Sequence, residues 1–258
     1  MPLVETIARL GAYILDSIAA LGNFVTFLAS SVFYALLPPY KLRLMLRQIR
    51  IIGAQSLMLI AFISTFTGMV LGLQGYHTLH IFGADNALGT LVGVALVREL
   101  GPVLAALMIA ARAGSAMAAE LGSMQASEQI DALTVMAINP VQYLVSPRII
   151  AGVISFPVLT VVFNVIGIWG GYVVGCGLMG VSGGAYFNNL ATNLTSHDVA
   201  LTVYKALVFG VVVMSVCCYK GYHARRMATG VSRATTEAVV LSSVLVLAWD
   251  YFIGSILL

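Results

Sequence analysis

Charge is what this sequence has least of. Only 9% of its 258 residues are Asp, Glu, Lys or Arg, and 60% are apolar. Mean hydropathy is +0.99. Soluble domains carry about 25% charged residues, so this composition excludes a soluble globular domain, a disordered chain and a coiled coil alike. Cysteine is scarce too. Cys176, Cys217 and Cys218 all lie in apolar runs and read as small hydrophobes, not as a disulfide or zinc framework. The N-terminus has Glu5 and Asp16 where a cleavable signal would have basic residues.

Chemical motifs are equally sparse. There is no G-x-x-x-x-G-K-[ST] phosphate loop, so ATP hydrolysis by that route is excluded for this chain. H-E-x-x-H and G-x-S-x-G are absent, and no nucleophile has an evident histidine partner. His77, His80 and His197 fall in loops on one side and His223 on the other. No catalytic residue, metal site, cofactor or nucleic-acid partner is therefore expected. Gly175-Cys176-Gly177-Leu178-Met179-Gly180 fits G-x-G-x-x-G but closes an apolar run, where a dinucleotide fingerprint would link a strand to a helix. It reads as a chance match. Asn193-Leu194-Thr195 is a glycosylation sequon, which would be idle were the chain bacterial.

What is abundant is long apolar sequence. A helix crosses about 30 Å of hydrocarbon with roughly 20 apolar residues. Five runs meet that need: Ile51 to Tyr76, Leu88 to about Leu121, Ile149 to Leu178, Val199 to Tyr219 and Glu237 to Leu258. The second is too long for one straight crossing. Gly101-Pro102 is expected to kink it, with Arg112 and Glu120 projecting into water. The fold class is thus all-α, a polytopic membrane protein of five transmembrane helices. Residues 1–40 form the preceding element: Arg9, Asp16, Asn23 and Ser30 recur every seven residues and place a polar stripe on one helix face. That pattern predicts an amphipathic helix in the interface, ended by Pro38-Pro39, although Ser17 to Leu37 would also serve as an ordinary first span.

Lys41, Arg43, Arg47 and Arg50 precede the first span, Arg148 the third, and Lys220, Arg225, Arg226 and Arg233 lie between the fourth and fifth. The intervening loops, about 77–87 and 179–198, hold no Lys or Arg. The basic connections are predicted to be cytoplasmic. Glycines spaced by four, Gly68/Gly72, Gly89/Gly93, Gly167/Gly171 and Gly171/Gly175, suit close helix packing, within the chain or across a dimer.

Four charges sit inside the spans: Arg98 and Glu99 in the second, Lys205 in the fourth, Asp250 in the fifth. At 1.5 Å per residue they lie roughly 15, 9 and 12 Å from the outer boundary. Each is costly in lipid, so they should face one another or a wet cavity. Two readings stay open, an ion-pair brace and the polar rim of a cavity. Arg98 is expected to pair with an acid, Asp250 being the candidate, and Lys205 to be the more open to the cavity. Leu71, Gln74 and Tyr76, with Leu79 and Phe82 beyond, are further cavity candidates. Residues 120–148 are hydrophilic, with Ile130, Leu133 and Met136 spaced by three beside acids, as in a short amphipathic helix.

Several segments together resemble the MlaE permease family: Gly68-Met-Val-Leu-Gly-Leu-Gln-Gly-Tyr76, Arg98-Glu-Leu-Gly-Pro102, Ala111-Arg-Ala-Gly-Ser115, Ala119-Glu-Leu-Gly122, Glu128-Gln-Ile-Asp-Ala-Leu133, Ser146-Pro-Arg148 and Gly230-Val-Ser-Arg-Ala-Thr-Thr236. The similarity covers about residues 45–258, and residues 41–258 would form the permease domain. The resemblance implies the inner-membrane subunit of an ABC-type phospholipid transporter that maintains outer-membrane lipid asymmetry in Gram-negative bacteria. It implies a homodimer with an outward-open lipid cavity at its interface, partnered by an MlaF-like ATPase that binds the ATP, an MlaB-like STAS protein and a hexameric MlaD-like MCE ring. It also implies a coupling helix at about 122–138, with Glu128, Ile130, Asp131 and Leu133 touching the ATPase and Ile130 and Leu133 as apolar anchors. The alternative from the residues alone is an ion-coupled transporter or channel using Glu99 and Asp250 as proton sites.

Overall fold

The computed structural model describes Leu15, Ile18, Ala19, residues 22–34 and residues 42–257. Five of its helices are long and apolar enough to cross a membrane: α2 (Leu42–His80), α3 (Asp85–Ala126), α5 (Val141–Leu178), α7 (Ser196–Tyr222) and α8 (Ala228–Leu257). Three shorter helices complete the described chain: α1 (residues 22–34), α4 (Gln129–Val135) and α6 (Gly183–Asn193). No strand occurs among the described residues. The five expected spans are all present, and each helix extends past its apolar run.

The expected interfacial helix lies mostly outside the described residues. Its described part, α1, meets the basic end of the bundle. Phe27 is buried, its ring centroid 5.4 Å from Tyr219, 5.6 Å from Tyr222 and 5.7 Å from His223. The Ser146 hydroxyl donates to the Ser31 carbonyl at 3.2 Å.

Apolar sequence alone cannot hold helices together in lipid, because the tails are as apolar as leucine. Close backbone approach does it instead. The glycine pairs meet within the chain. A Cβ on Gly68 would lie 1.8 Å from the Gly167 carbonyl oxygen, and one on Gly72 2.9 Å from that of Gly171. These contacts seal α2 against α5. Gly89 likewise admits the Tyr186 backbone of α6, at 2.1 Å from its absent Cβ. Facing away from this seam, Met58, Phe62, Phe66 and Val70 of α2 and Val158, Val161, Val165 and Trp169 of α5 are exposed, spaced by three or four residues.

Helix α7 is the central post, packing on α3, α5 and α8. Cys217 and Cys218 are buried in its inner face, and Cys217 Sγ lies 3.5 Å from Ser242 Oγ of α8. The glycine-rich Gly175–Gly180 stretch is a helix end: Val173–Leu178 form a π turn and Gly180 takes φ 78°.

Candidate functional site

The Gly101-Pro102 step is bridged without a break, because α3 adopts a π turn at Leu96–Leu100 immediately before it. A π turn carries one residue more than an α turn and leaves carbonyls without their usual donors. The Gly101 N–H reaches back to the Leu96 oxygen, which frees the Val97 carbonyl. Proline has no N–H, which frees the Arg98 carbonyl. Both find donors on α7: the Thr202 hydroxyl donates to Val97 O, and Lys205 Nζ donates to Arg98 O at 3.0 Å. Thr202 and Lys205 are three residues apart and share a helix face.

Around this opened turn the intramembrane charges assemble. Lys205 Nζ lies 2.8 Å from Glu99 Oε2 and 2.8 Å from Asp250 Oδ1, so one ammonium joins α3, α7 and α8. Its side chain is 0% exposed. Arg98 instead pairs through Nε with Asp198 Oδ1 at 2.7 Å. Asp198 is also the N3 residue of a capping box at the start of α7, its Oδ2 accepting from Thr195 N at 3.0 Å. Two expectations are thereby corrected. Arg98 is paired with Asp198 and not with Asp250, and Lys205 is the enclosed cation while Arg98 is the partly exposed one. Only the Nε of Arg98 is engaged; its remaining N–H groups make no hydrogen bond among the described residues.

An apolar groove of about 470 Å³ runs along α2 and α3, lined in part by Phe62, Phe66, Val70, Leu71 and Leu100, and none of the paired charges is in its lining. Of the predicted cavity residues, Leu71 is in this lining. Tyr76 and Leu79 are partly buried against the core. Gln74 and Phe82 are exposed, and Tyr76 stacks on His80 with centroids 5.2 Å apart. These outer residues are not gathered with Arg98 into one enclosed pocket. Sequence reasoning missed Asp198, Thr202 and the Phe62–Phe66 wall. The Thr195-x-x-Asp198 capping pattern was the available signal for the first.

At the basic end, α4 is shorter than the expected 122–138 helix. Residues 122–126 belong to α3, and α4 spans Gln129–Val135 between two left-handed residues, Glu128 (φ 59°) and Ala137 (φ 58°). Arg226, from the α7–α8 connection, holds it through Asp131 Oδ2 at 2.7 Å and Glu128 Oε1 at 3.8 Å. Ile130 is only 3% exposed and packs inward, so it is not presented as an anchor, and Leu133 is partly buried against the core. The apolar side chains that α4 and its end do present are Val135 (89% exposed) and Met136 (61%). Nor do Arg112 and Glu120 project freely: Arg112 Nη1 donates to Ser56 Oγ at 3.1 Å, and Glu120 Oε2 pairs with Arg148 Nη2 at 2.9 Å.

A bundle of five membrane-length helices, with charges paired inside its spans and a short helix at its basic end, defines a polytopic membrane protein. Comparison with known proteins agrees. Residues 45–256 match the family described as Permease MlaE, and the chain belongs to that family. It is 41% identical over 260 residues to the "Intermembrane phospholipid transport system permease protein MlaE" of Haemophilus influenzae, covering 99% of this chain and 98% of the relative. It is 40% identical over 247 residues to a "Probable ABC transporter permease protein" of Rickettsia typhi, covering 96% and 95%. A plant relative, "Protein TRIGALACTOSYLDIACYLGLYCEROL 1, chloroplastic" of Arabidopsis thaliana, is 33% identical over 210 residues, covering 81% and 60%.

Proposed function

We propose that this chain is the inner-membrane permease of an ABC-type phospholipid transporter, that two copies enclose an outward-facing lipid cavity, and that Arg98 receives the lipid phosphate at its rim. The observation that carries the reading is the half-engaged guanidinium. Asp198 fixes Arg98 through Nε and leaves its other N–H donors without a partner among the described residues, and an apolar groove suited to acyl chains takes in Leu100, two residues along α3. Planar, permanently charged donors suit a phosphate. Glu99, Lys205 and Asp250 are the brace that holds the turn carrying Arg98. The ion-coupled alternative is weaker, because Glu99 and Asp250 share one ammonium and do not stand free for proton traffic.

Arg98→Ala tests it. Asp198 keeps its bonds to Thr195, so the helix start survives. Hydrogen bonds to charged groups contribute about 1.5–3 kcal/mol, so phospholipid retained per purified protein should fall about tenfold, measured by mass spectrometry at matched thermal stability. Unchanged lipid content would leave Arg98 as a brace and overturn its assignment to the phosphate.

The engine is an MlaF-like ATPase docking on the basic, cytoplasmic end, with MlaB-like and MlaD-like proteins completing the assembly. Of the residues assigned to that contact, Glu128 and Asp131 are tied to Arg226 and shape α4, while Leu133 is partly covered. The contact is therefore centred on Val135 and Met136. Val135→Asp puts a charge into it without touching the core. ATPase stimulation by the permease should drop several-fold while membrane insertion stays normal. Full stimulation by the variant would move the contact elsewhere.

A further inference from the structure

A separate, more polar cavity lies at the opposite end of the bundle from Arg98. It has a volume of about 210 Å³ and opens between the basic ends of α2, α3 and α5, lined in part by Leu44, Arg47, Gln48, Glu120, Met124 and Arg148. Arg98 and Glu120 are 22 residues apart on α3, roughly 33 Å along the helix. The two sites are separate.

Arg148 is the unusual lining residue. It is 2% exposed, with Nη1 donating to Leu144 O at 2.9 Å and Nη2 pairing with Glu120. Its Nε is buried and has no partner. Gln48 of α2 also lines the cavity, and its Oε1 is likewise buried and unpartnered. Buried polar atoms in native proteins are almost always hydrogen-bonded to something. Both atoms are covered, in side chains that line the cavity, and a ligand that both accepts and donates would satisfy them once those side chains turned toward it. Arg47 adds an exposed cation with no ion pair among the described residues. Two arginines against one carboxylate leave the site one positive charge in excess. Its depth is that of the headgroup layer, because Arg47 and Arg50 lie on the polar approach to the apolar run of α2.

We propose that this cavity binds the phosphoethanolamine headgroup of a lipid in the leaflet at the basic end, with phosphate at Arg47 and Arg148 and ammonium at Glu120 and Gln48, the Arg148 and Gln48 side chains turning to bring Nε and Oε1 to the headgroup. A phosphate supplies the acceptor and a primary ammonium the donor. A choline headgroup has no N–H for Gln48, and a glycerol headgroup carries no cation for Glu120. Basic pockets between spans on the cytoplasmic side are suited to lipid headgroups of this kind. Bound there, the lipid ties the end of α3 to the start of α5, the two helices that flank α4. The site stands independently of the Arg98 reading.

The test uses the full-length chain in detergent and phosphatidylethanolamine carrying a photoreactive group at the top of one acyl chain. Cross-linked peptides are mapped by mass spectrometry. The expected result is labelling of residues 42–50 and 141–148, about tenfold stronger than with the phosphatidylcholine analogue. Arg47→Ala should cut the labelling about tenfold, and since Arg47 is exposed and unpaired the fold is not at risk. Gln48→Leu should erase the preference for ethanolamine over choline, a change that a merely structural glutamine would not produce. Arg98→Ala should leave this labelling intact. Soluble glycerophosphoethanolamine should not compete at millimolar concentration; full competition would assign the site to a free phosphate ester and not to a lipid. Equal labelling by the two lipids, or undiminished labelling in Arg47→Ala, overturns the proposal.

Discussion

Replacing Lys205 with methionine should lower the thermal midpoint of the detergent-solubilised protein by about 10 °C. The ammonium is the shared counter-ion of Glu99 and Asp250 and the donor to the carbonyl that Pro102 leaves open. Removing it strands two carboxylates and one carbonyl in a water-poor layer. Breaking a buried pair by deleting one partner costs about 3–5 kcal/mol, and at this chain length each kcal/mol moves the midpoint by about 2–4 °C. The triple variant Lys205→Met, Glu99→Gln, Asp250→Asn should recover most of the loss, since the stranded charges go with their partner. Lys205→Arg should not recover it, because an enclosed site shaped to an ammonium has no room for a forked guanidinium. Size-exclusion after a heating series reads the midpoint. A single variant as stable as the parent would mean that water or another cation serves the two acids, and the brace would be lost as an explanation.

The second large effect is expected at Gly68. Its Cβ would sit 1.8 Å from a backbone oxygen, which has no rotamer to change. Gly68→Ala must therefore push α2 and α5 apart along their whole seam. Overpacking a close-packed site costs about 1–3 kcal/mol when side chains can adjust, and more when they cannot. Folded yield of Gly68→Ala should fall several-fold, whereas Gly177→Ala, which meets nothing within 4 Å, should express normally. Equal yields for the two would show that α2 and α5 are not sealed by the glycine seam.

The spans were legible because a 30 Å slab leaves so few solutions for a chain this apolar. The charged layer was legible for a related reason: depth follows from residue counting at a fixed rise. Pairing within the layer was not. Which helix face carries Arg98 or Glu99 depends on the π turn at Leu96–Leu100, and one inserted residue turns everything beyond it by about 100°. No hydropathy pattern announces such a turn, although the Gly-Pro step beside it is a trace. Asp198 was passed over because the apolar run begins just after it, while the helix begins just before. In α4 the spacing of Ile130 and Leu133 matches a short helix with an inward apolar side, whereas Met136 lies just past its end and is exposed. The helix is also tied by Arg226 to Asp131, a contact about 95 residues away in sequence that no local pattern encodes.

The length of α3 has a mechanical meaning. It runs unbroken from Asp85 to Ala126, roughly 63 Å at an α-helical rise, and its inner end stops two residues short of the left-handed corner at Glu128. Arg98 and Glu99 are rungs on that same rod, whereas Lys205, Asp198 and Asp250 hang on other helices. A push delivered at the corner would thus reach the far half of the bilayer along one continuous helix, through its π turns at Leu96–Leu100 and Ala110–Gly114. Its effect there would be read as a change in spacing between charges mounted on different supports.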